Sequence, residues 1–253
     1  MNPDQSISYL NALSMPALAP LGDDISLDTP PVLQPSETGP GAGLQGNKLI
    51  AFTSALEPKY REAVKYCTQI AQSAADAAYD QLSQRLQWYA KYTEVLKHAG
   101  WIGSNNQLSE YKHSKTDLTM EQVALQLIQA AAGANAASIL EITQLAVDAL
   151  KSNEAANLKL EKSSSQSSNG AFDILPCLQS DDEVVMYDHA MIFTRKKSSG
   201  GFWFWSWKAE HVDLTHVANE WTLNYDFYTS VEATIRKKLG VASENFFESL
   251  DLA

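Results

Sequence analysis

At 253 residues the chain has room for one large domain or two small ones, and an apolar fraction of 45% supplies a core. Its 30 acidic against 19 basic residues give a net charge of −11. This argues against a nucleic-acid ligand, whose affinity comes from neutralising phosphates with Lys and Arg, and against long-range attraction to anionic lipid.

Residues 1–47 differ from the rest. They hold Pro3, Pro16, Pro20, Pro30, Pro31, Pro35 and Pro40, the acids Asp4, Asp23, Asp24, Asp28 and Glu37, and no Lys or Arg. Such a segment alone reads as an extended acidic tail. Its apolar residues, among them Tyr9, Leu10 and Leu13, make it instead an arm expected to lie across its own domain or a neighbouring subunit. The Gly-rich stretch Gly39 to Gly46 lacks the Lys-Ser/Thr ending of a phosphate loop.

A helix is predicted from Ser54, with Ser54-x-x-Glu57 as a capping box and Pro58 in the first turn. Tyr60, Val64, Cys67, Ala71, Ala74, Ala78, Leu82, Leu86, Tyr89 and Leu96 follow at helical steps. Unbroken to Lys97, it would be about 65 Å long. Gly100 stops it. A second helical stretch opens at Thr119, with Gln122 as box partner, weakens at Gly133 and Asn135, and resumes to Leu150. The two stretches suggest an antiparallel pair.

From Leu158 the period becomes two. Leu158 and Leu160 alternate with charge, 163–170 reads as a loop, and 172–178 as a strand that Pro176 places at an edge or bulge. A long strand is expected over 183–195, followed by a hairpin through Arg195, Lys196 and Lys197. The next strand would carry Trp203, Trp205 and Trp207 on one face, since alternate residues share a face, and would run on toward Val217. That aromatic row is either covered by helices or a platform for a partner or membrane. Asn224 caps a last helix from Tyr225 to Leu239, Gly240 ends it, and 246–252 adds a short strand.

The segment Trp88-Tyr89-x-x-Tyr92-x-x-Val95-Leu96-x-x-x-Gly100-Trp101 resembles the signature of a family of uncharacterised bacterial and fungal proteins. Leu118-Thr119-Met120-Glu121, Phe172-x-Ile174 and Tyr228…Arg236-x-Lys238-Leu239 extend the likeness over about residues 55–250. The resemblance implies no activity and no site. Physically, Trp88, Tyr92, Leu96 and Trp101 read as a buried aromatic cluster at a helix end.

Catalytic-looking chemistry is confined to Asp188, His189, His211, Asp213 and His216. Asp188 and His189 are adjacent in a strand and point to opposite faces. His211 and Asp213 share a face in an extended chain, and a His/Asp pair is a minimal base unit, yet no nucleophile with a local signature accompanies it. His211 and His216 are candidate metal ligands, and Cys177 beside Pro176 a candidate exposed thiol; ordinary structural roles outweigh all three. With only Cys67 and Cys177 there is no disulfide framework, so a reducing compartment is favoured. Cys67 lies on the apolar helix stripe and reads as core. No cofactor or metal is expected.

These readings predict an α+β fold: a long helical hairpin packed on an antiparallel sheet of about four or five strands, with a C-terminal helix. The arm would span 1–47, and a single domain 48–253, with a helical part at 54–152 and a sheet part at 157–253. The first functional expectation is a non-enzymatic interaction or self-assembly protein using the arm and the aromatic strand, as a homo-oligomer or with a protein partner. The second is a membrane-active, toxin-like effector whose helices open to bury apolar faces in lipid. The third is an enzyme of unknown type. No run of about 18 apolar residues and no standard signal peptide is present, so no transmembrane helix is expected, and the chain is expected in the cytoplasm or exported without a cleavable signal.

Overall fold

A computed structural model describes residues 2–15, 39–104, 109–111, 118–166, 168–180, 183–196, 207–240 and 248–252. The two longest period-two runs form neighbouring strands at its centre, β6 (Asn169–Ser180) and β7 (Glu183–Arg195), paired antiparallel. Along β7, Val184, Met186 and Ala190 face one hydrophobic cluster, and Val185, Tyr187, Met191 and Phe193 the other. A strand buried on both faces reads as a nearly continuous apolar run, as this one does.

The described strands are β1 (Gly41–Gln45), β2 (Lys48–Phe52), β3 (Trp101–Gly103), β4 (Ser109–Glu110), β5 (Ser165–Gln166), β6, β7, β8 (Val212–Leu223) and β9 (Glu248–Leu250). They form one nine-stranded sheet in the order β3-β8-β7-β6-β2-β1-β9, with β4 beside β8 and β5 beside β6. This sheet exceeds the four or five strands expected. It is also mixed, because β2 runs parallel to β6.

Helices α1 (Pro3–Ala12), α2 (Pro58–Ala78), α3 (Arg85–His98) and α7 (Tyr225–Leu239) cover one face. The other is covered by α4 (Met120–Ala131), α5 (Ala136–Ser152) and α6 (Glu154–Ser164). The result is an α+β protein in three layers, helix–sheet–helix. The two helical stretches therefore do not form one hairpin on one face: the sheet separates them, and each folds back on itself. The first breaks because Asp80 Oδ1 accepts from the backbone N–H of Leu82 (3.2 Å) and Ser83 (2.7 Å), a local turn that competes with helix.

Thr119 and Gln122 form the capping box of α4, Gly133–Asn135 is a 3-10 turn between α4 and α5, Asn224 Oδ1 accepts from Phe227 N–H at the start of α7, and Gly240 ends it at φ 57°. Ser54 is not the cap; α2 starts at Pro58 with Glu57 as an N-cap whose side chain makes no capping bond. Leu158 and Leu160 lie in α6, not a strand, and only Leu160 is buried. Pro176 sits in the middle of the sheet, where the β6–β7 pairing is interrupted at Leu175 and Pro176 but resumes in the same register, Ile174↔His189 before and Cys177↔Met186 after.

The arm is a packed part of the domain at its described ends. In α1, Asn2 Oδ1 caps Asp4 N–H, Leu10 and Leu13 enter the core, and the Tyr9 ring stacks on His98 at 3.7 Å. Lys238 Nζ of α7 donates to the Asn11 carbonyl (2.8 Å). The boundary expected after residue 47 falls in the β1–β2 turn, where Gly46 takes φ 60°, a conformation open to glycine without cost. Tyr9→Ala is expected to lower stability by about 1–2 kcal/mol, the scale of a half-buried aromatic pair, without changing the mass in solution. Loss of an oligomer in light scattering would show instead that Tyr9 holds two copies together.

Candidate functional site

Four polar residues occupy inward positions on the α2–α3 face of the sheet: Lys48 on β2, Asp173 on β6, Asp188 on β7 and Asn219 on β8. The register sets Lys48 beside Asp173 and Asp188 beside Asn219. Above them α3 presents Arg85, Trp88, Tyr89 and Tyr92, spaced so that they share one helix face.

Asp173 binds both cations, accepting from Lys48 Nζ at Oδ2 and from Arg85 Nη2 at Oδ1 (2.5 Å). Tyr89 Oη donates to Asp188 Oδ2 (2.9 Å) and accepts from Asn219 Nδ2 (3.0 Å). Lys48 Nζ also lies 4.2 Å from the Tyr92 ring centre, and the Arg85 guanidinium 4.6 Å from that of Trp88. The ring faces partly compensate the guanidinium nitrogens that lack a hydrogen-bond partner. Trp88 Nε1 donates to Asp76 Oδ1 (2.7 Å), tying α3 to the end of α2.

Burial alone would raise the Asp173 carboxyl, but Arg85 and Lys48 hold it below its ordinary value. Burial pushes Asp188 up to about 6, and the charge of Asp173 adds to that, against the pull of Lys48. A raised carboxylic acid bonded to a tyrosine resembles an acid–base pair. Yet Lys48, Asp173 and Asp188 are all at 0% exposure, so no substrate reaches them unless the helices move. This lattice is a lock between α3 and the sheet.

The opposite face is held differently. Met120, Val123, Ala124, Ile128, Ile139 and Ile142 of α4 and α5 pack on Phe172, Ile174, Met191 and their neighbours. Thr143, the polar residue buried within α5, donates to the Ile139 carbonyl of its own helix (2.6 Å). The charges of this layer lie outside: Glu121 pairs with Lys151 at 2.9 Å, with Glu141 and Asp148 elsewhere on α5. One polar link to the sheet is the Tyr187 hydroxyl, which donates to the Ala132 carbonyl (3.4 Å) and accepts from Asn135 Nδ2 (3.1 Å). A cleft of about 420 Å³ opens between α5 and the ends of β2 and β6, lined by Thr53, Ser54, Ser138, Glu141 and Gln179 among others.

The polar residues singled out in the sequence are dispersed. Asp188 belongs to the charge lattice. His189, on the other face, stacks on His216 at 5.3 Å between ring centres. His211 is in a 3-10 turn, and Asp213 is exposed and paired with Lys196 at 2.5 Å, so the expected His211–Asp213 pair does not form. Among the described residues, no three His, Cys, Asp or Glu side chains are placed to hold a metal ion. Cys177 is fully buried, and burial pushes its thiol well up, so Pro176 does not expose it. Trp203 and Trp205 lie outside the described residues. Trp207 precedes β8 rather than lying in it, and is buried edge-on to Phe193 at 5.6 Å, with the Arg195 guanidinium 4.9 Å from its ring. The contact residues Leu10, Leu13 and Trp207 are thus committed to the protein's own core.

The sequence reading missed Lys48, Arg85 and Asp173. The available signal was charge at an inward position of an apolar strand, as in Phe172-Asp173-Ile174.

The fold and site define a three-layer protein with one helical layer locked by buried charge and the other attached by apolar contact. No protein-family model and no curated protein matches the chain. Among solved structures it is similar to the Evf virulence factor, with 13% identity over 80% of this chain and 83% of that one at a TM-score of 0.37. It is also similar to a delta-endotoxin, with 12% identity over 85% of this chain and 96% of that one at a TM-score of 0.45. TM-scores this low do not establish a common fold, so neither neighbour assigns a role to any residue.

Proposed function

We propose that this is a non-enzymatic, membrane-active protein that delivers its α4–α5 layer to the interface of a neutral lipid bilayer. The observation that supports this is the unequal attachment of the two helical layers. Lifting α2–α3 would separate Arg85 from Asp173 in a dry interior, whereas lifting α4–α5 breaks no buried ion pair among the described residues and exposes an apolar face that lipid can cover.

Helix length decides how the layer would sit. The 17 residues of α5 span about 25 Å, short of the roughly 30 Å hydrocarbon core. Among the described residues no helix is long and apolar enough to cross a membrane. The helices therefore lie in the interfacial plane, apolar side down. The net charge of −11 directs the protein to neutral rather than anionic lipid.

The test uses phosphatidylcholine vesicles loaded with a self-quenched dye, with hydrogen exchange read on the same samples. Dye release is expected, together with altered exchange over residues 120–152 and retained protection over 58–98. Absence of both release and binding between pH 5 and 7.5 overturns the reading. Binding with altered exchange confined to 58–98 overturns the choice of layer.

A further inference from the structure

We propose that the stacked pair His189–His216 beneath α4 is an acid-operated release for the α4–α5 layer. Its purpose rests on the membrane-active reading; its physics does not.

The path of α4 places His189 under its middle. At the start of α4, Met120 N–H donates to the Trp207 carbonyl (2.8 Å), and Trp207 packs on Phe193 of β7. Just past its end, the Ala132 carbonyl accepts from Tyr187 Oη of the same strand. His189 lies between Phe193 and Tyr187 on that face, at 1% exposure, with neither ring nitrogen hydrogen-bonded. The ring of His216 lies parallel to it, 6° apart, and is half-buried, with Nε2 3.5 Å from Ser109 Oγ and Nδ1 unbonded.

Among the described residues no carboxylate is bonded to either imidazole; Glu220 of β8, on the same face, is bonded to the Tyr187 hydroxyl. The acid on α4 is Glu121, held by Lys151. On α5, Glu141 and Asp148 are exposed; on β4 and β8, so are Glu110, Glu220 and Asp213, the last paired with Lys196. Tyr111 of the β4 segment meets His216 edge-on, and Tyr187 is tied to Asn135. Asp173 and Asp188 face the other layer. Burial, with His216 beside it, pulls the His189 imidazole down to about 3 against a smaller opposite pull from Asp173, and burial lowers His216 as well. Protonation of His189 therefore requires water at its ring, and α4 is the element that must lift to admit it. Acid acts oppositely on the other face, where neutralising Asp188 removes repulsion from Asp173.

The experiment is amide hydrogen exchange on the full chain without lipid at pH 7.5 and 5, corrected for intrinsic rates. Acid is expected to speed exchange of the α4–α5 amides by up to about 30-fold, the factor for an imidazole with an open-state pKa near 6.5 at pH 5. Protection in α2–α3 should be kept. His189→Phe preserves an aromatic ring and cannot take the proton, so most of the acceleration should disappear. An equal acceleration in His189→Phe, or opening of α2–α3 first, overturns the proposal. If that variant fails to fold, the wild-type imidazole decides by NMR: no titration while native signals persist down to pH 4.5 supports the switch, and a folded-state midpoint near 6.5 refutes it. Because lipid is absent, failure of the switch is distinguishable from failure of vesicle release.

Discussion

Asp173→Ala is expected to lower the unfolding free energy by about 3–5 kcal/mol at pH 7, the cost of breaking a buried ion pair by removing one partner. Lys48 and Arg85 would remain in a dry layer with no counter-charge of comparable proximity, since Asp188 is bonded to Tyr89 rather than to either cation. Ring faces alone do not replace a carboxylate, because a cation–π contact is worth about 0.5–2 kcal/mol. Replacing all three, as Lys48→Met, Arg85→Met and Asp173→Leu, should cost much less, because no uncompensated charge is left. Urea denaturation of both variants checks this. A loss below about 1 kcal/mol for Asp173→Ala would mean that water reaches the lattice and that it locks nothing.

Asp188→Asn should have the opposite sign. Folding raises this carboxyl from its ordinary 3.8 to about 6, so the folded chain binds more protons between those values and stability falls as pH rises through that window. Above pH 6 the charged carboxylate weighs fully against the fold, by roughly 3 kcal/mol at about 1.36 kcal/mol per pH unit. Asparagine carries no charge, and its carbonyl can still accept from Tyr89. The variant is therefore expected to be up to about 3 kcal/mol more stable than wild type at pH 7.5, with the gain gone by pH 4. A pH-independent difference between the two proteins would refute the account.

His189 gives the reverse slope. Its imidazole is neutral when buried and titrates near 6.5 when free, so its contribution is complete above 6.5 and is lost as pH falls toward about 3. Between pH 6 and 4 the two slopes oppose each other at the level of global stability, while each acts on its own helical layer. Measurements of global unfolding alone would then miss the change on the α4 side, which is why exchange by segment is the informative readout.

Much of this architecture was legible because its causes are local. Thr119 with Gln122, Asn224 and Gly240 mark helix ends through bonds within one turn, and β7 announces itself by composition. Pro176 misled because its missing N–H forbids a ladder bond without saying which strands flank it; β6 tolerates it in the centre by interrupting its pairing with β7 at Leu175 and Pro176 and resuming in the same register. Leu158 and Leu160 misled because two leucines two apart fit a strand as well as the exposed and buried sides of a short helix.

The sequence by itself determined the α+β class, the caps of α4 and α7, the burial of Cys67 and of the Trp88–Trp101 cluster, and the placement of Asp188 and His189 on opposite faces. Each follows from periodicity or from a bond between near neighbours. Only the tertiary structure decided that the two helical pairs lie on opposite sides of the sheet, that Leu10, Leu13 and Trp207 are spent on the protein's own core, and that Lys48, Arg85 and Asp173 meet. Lys48 and Asp173 are 125 residues apart in the chain. Their encounter depends on a parallel pairing of β2 with β6, and a side-chain period reports which face a residue takes but not which strand lies beside it.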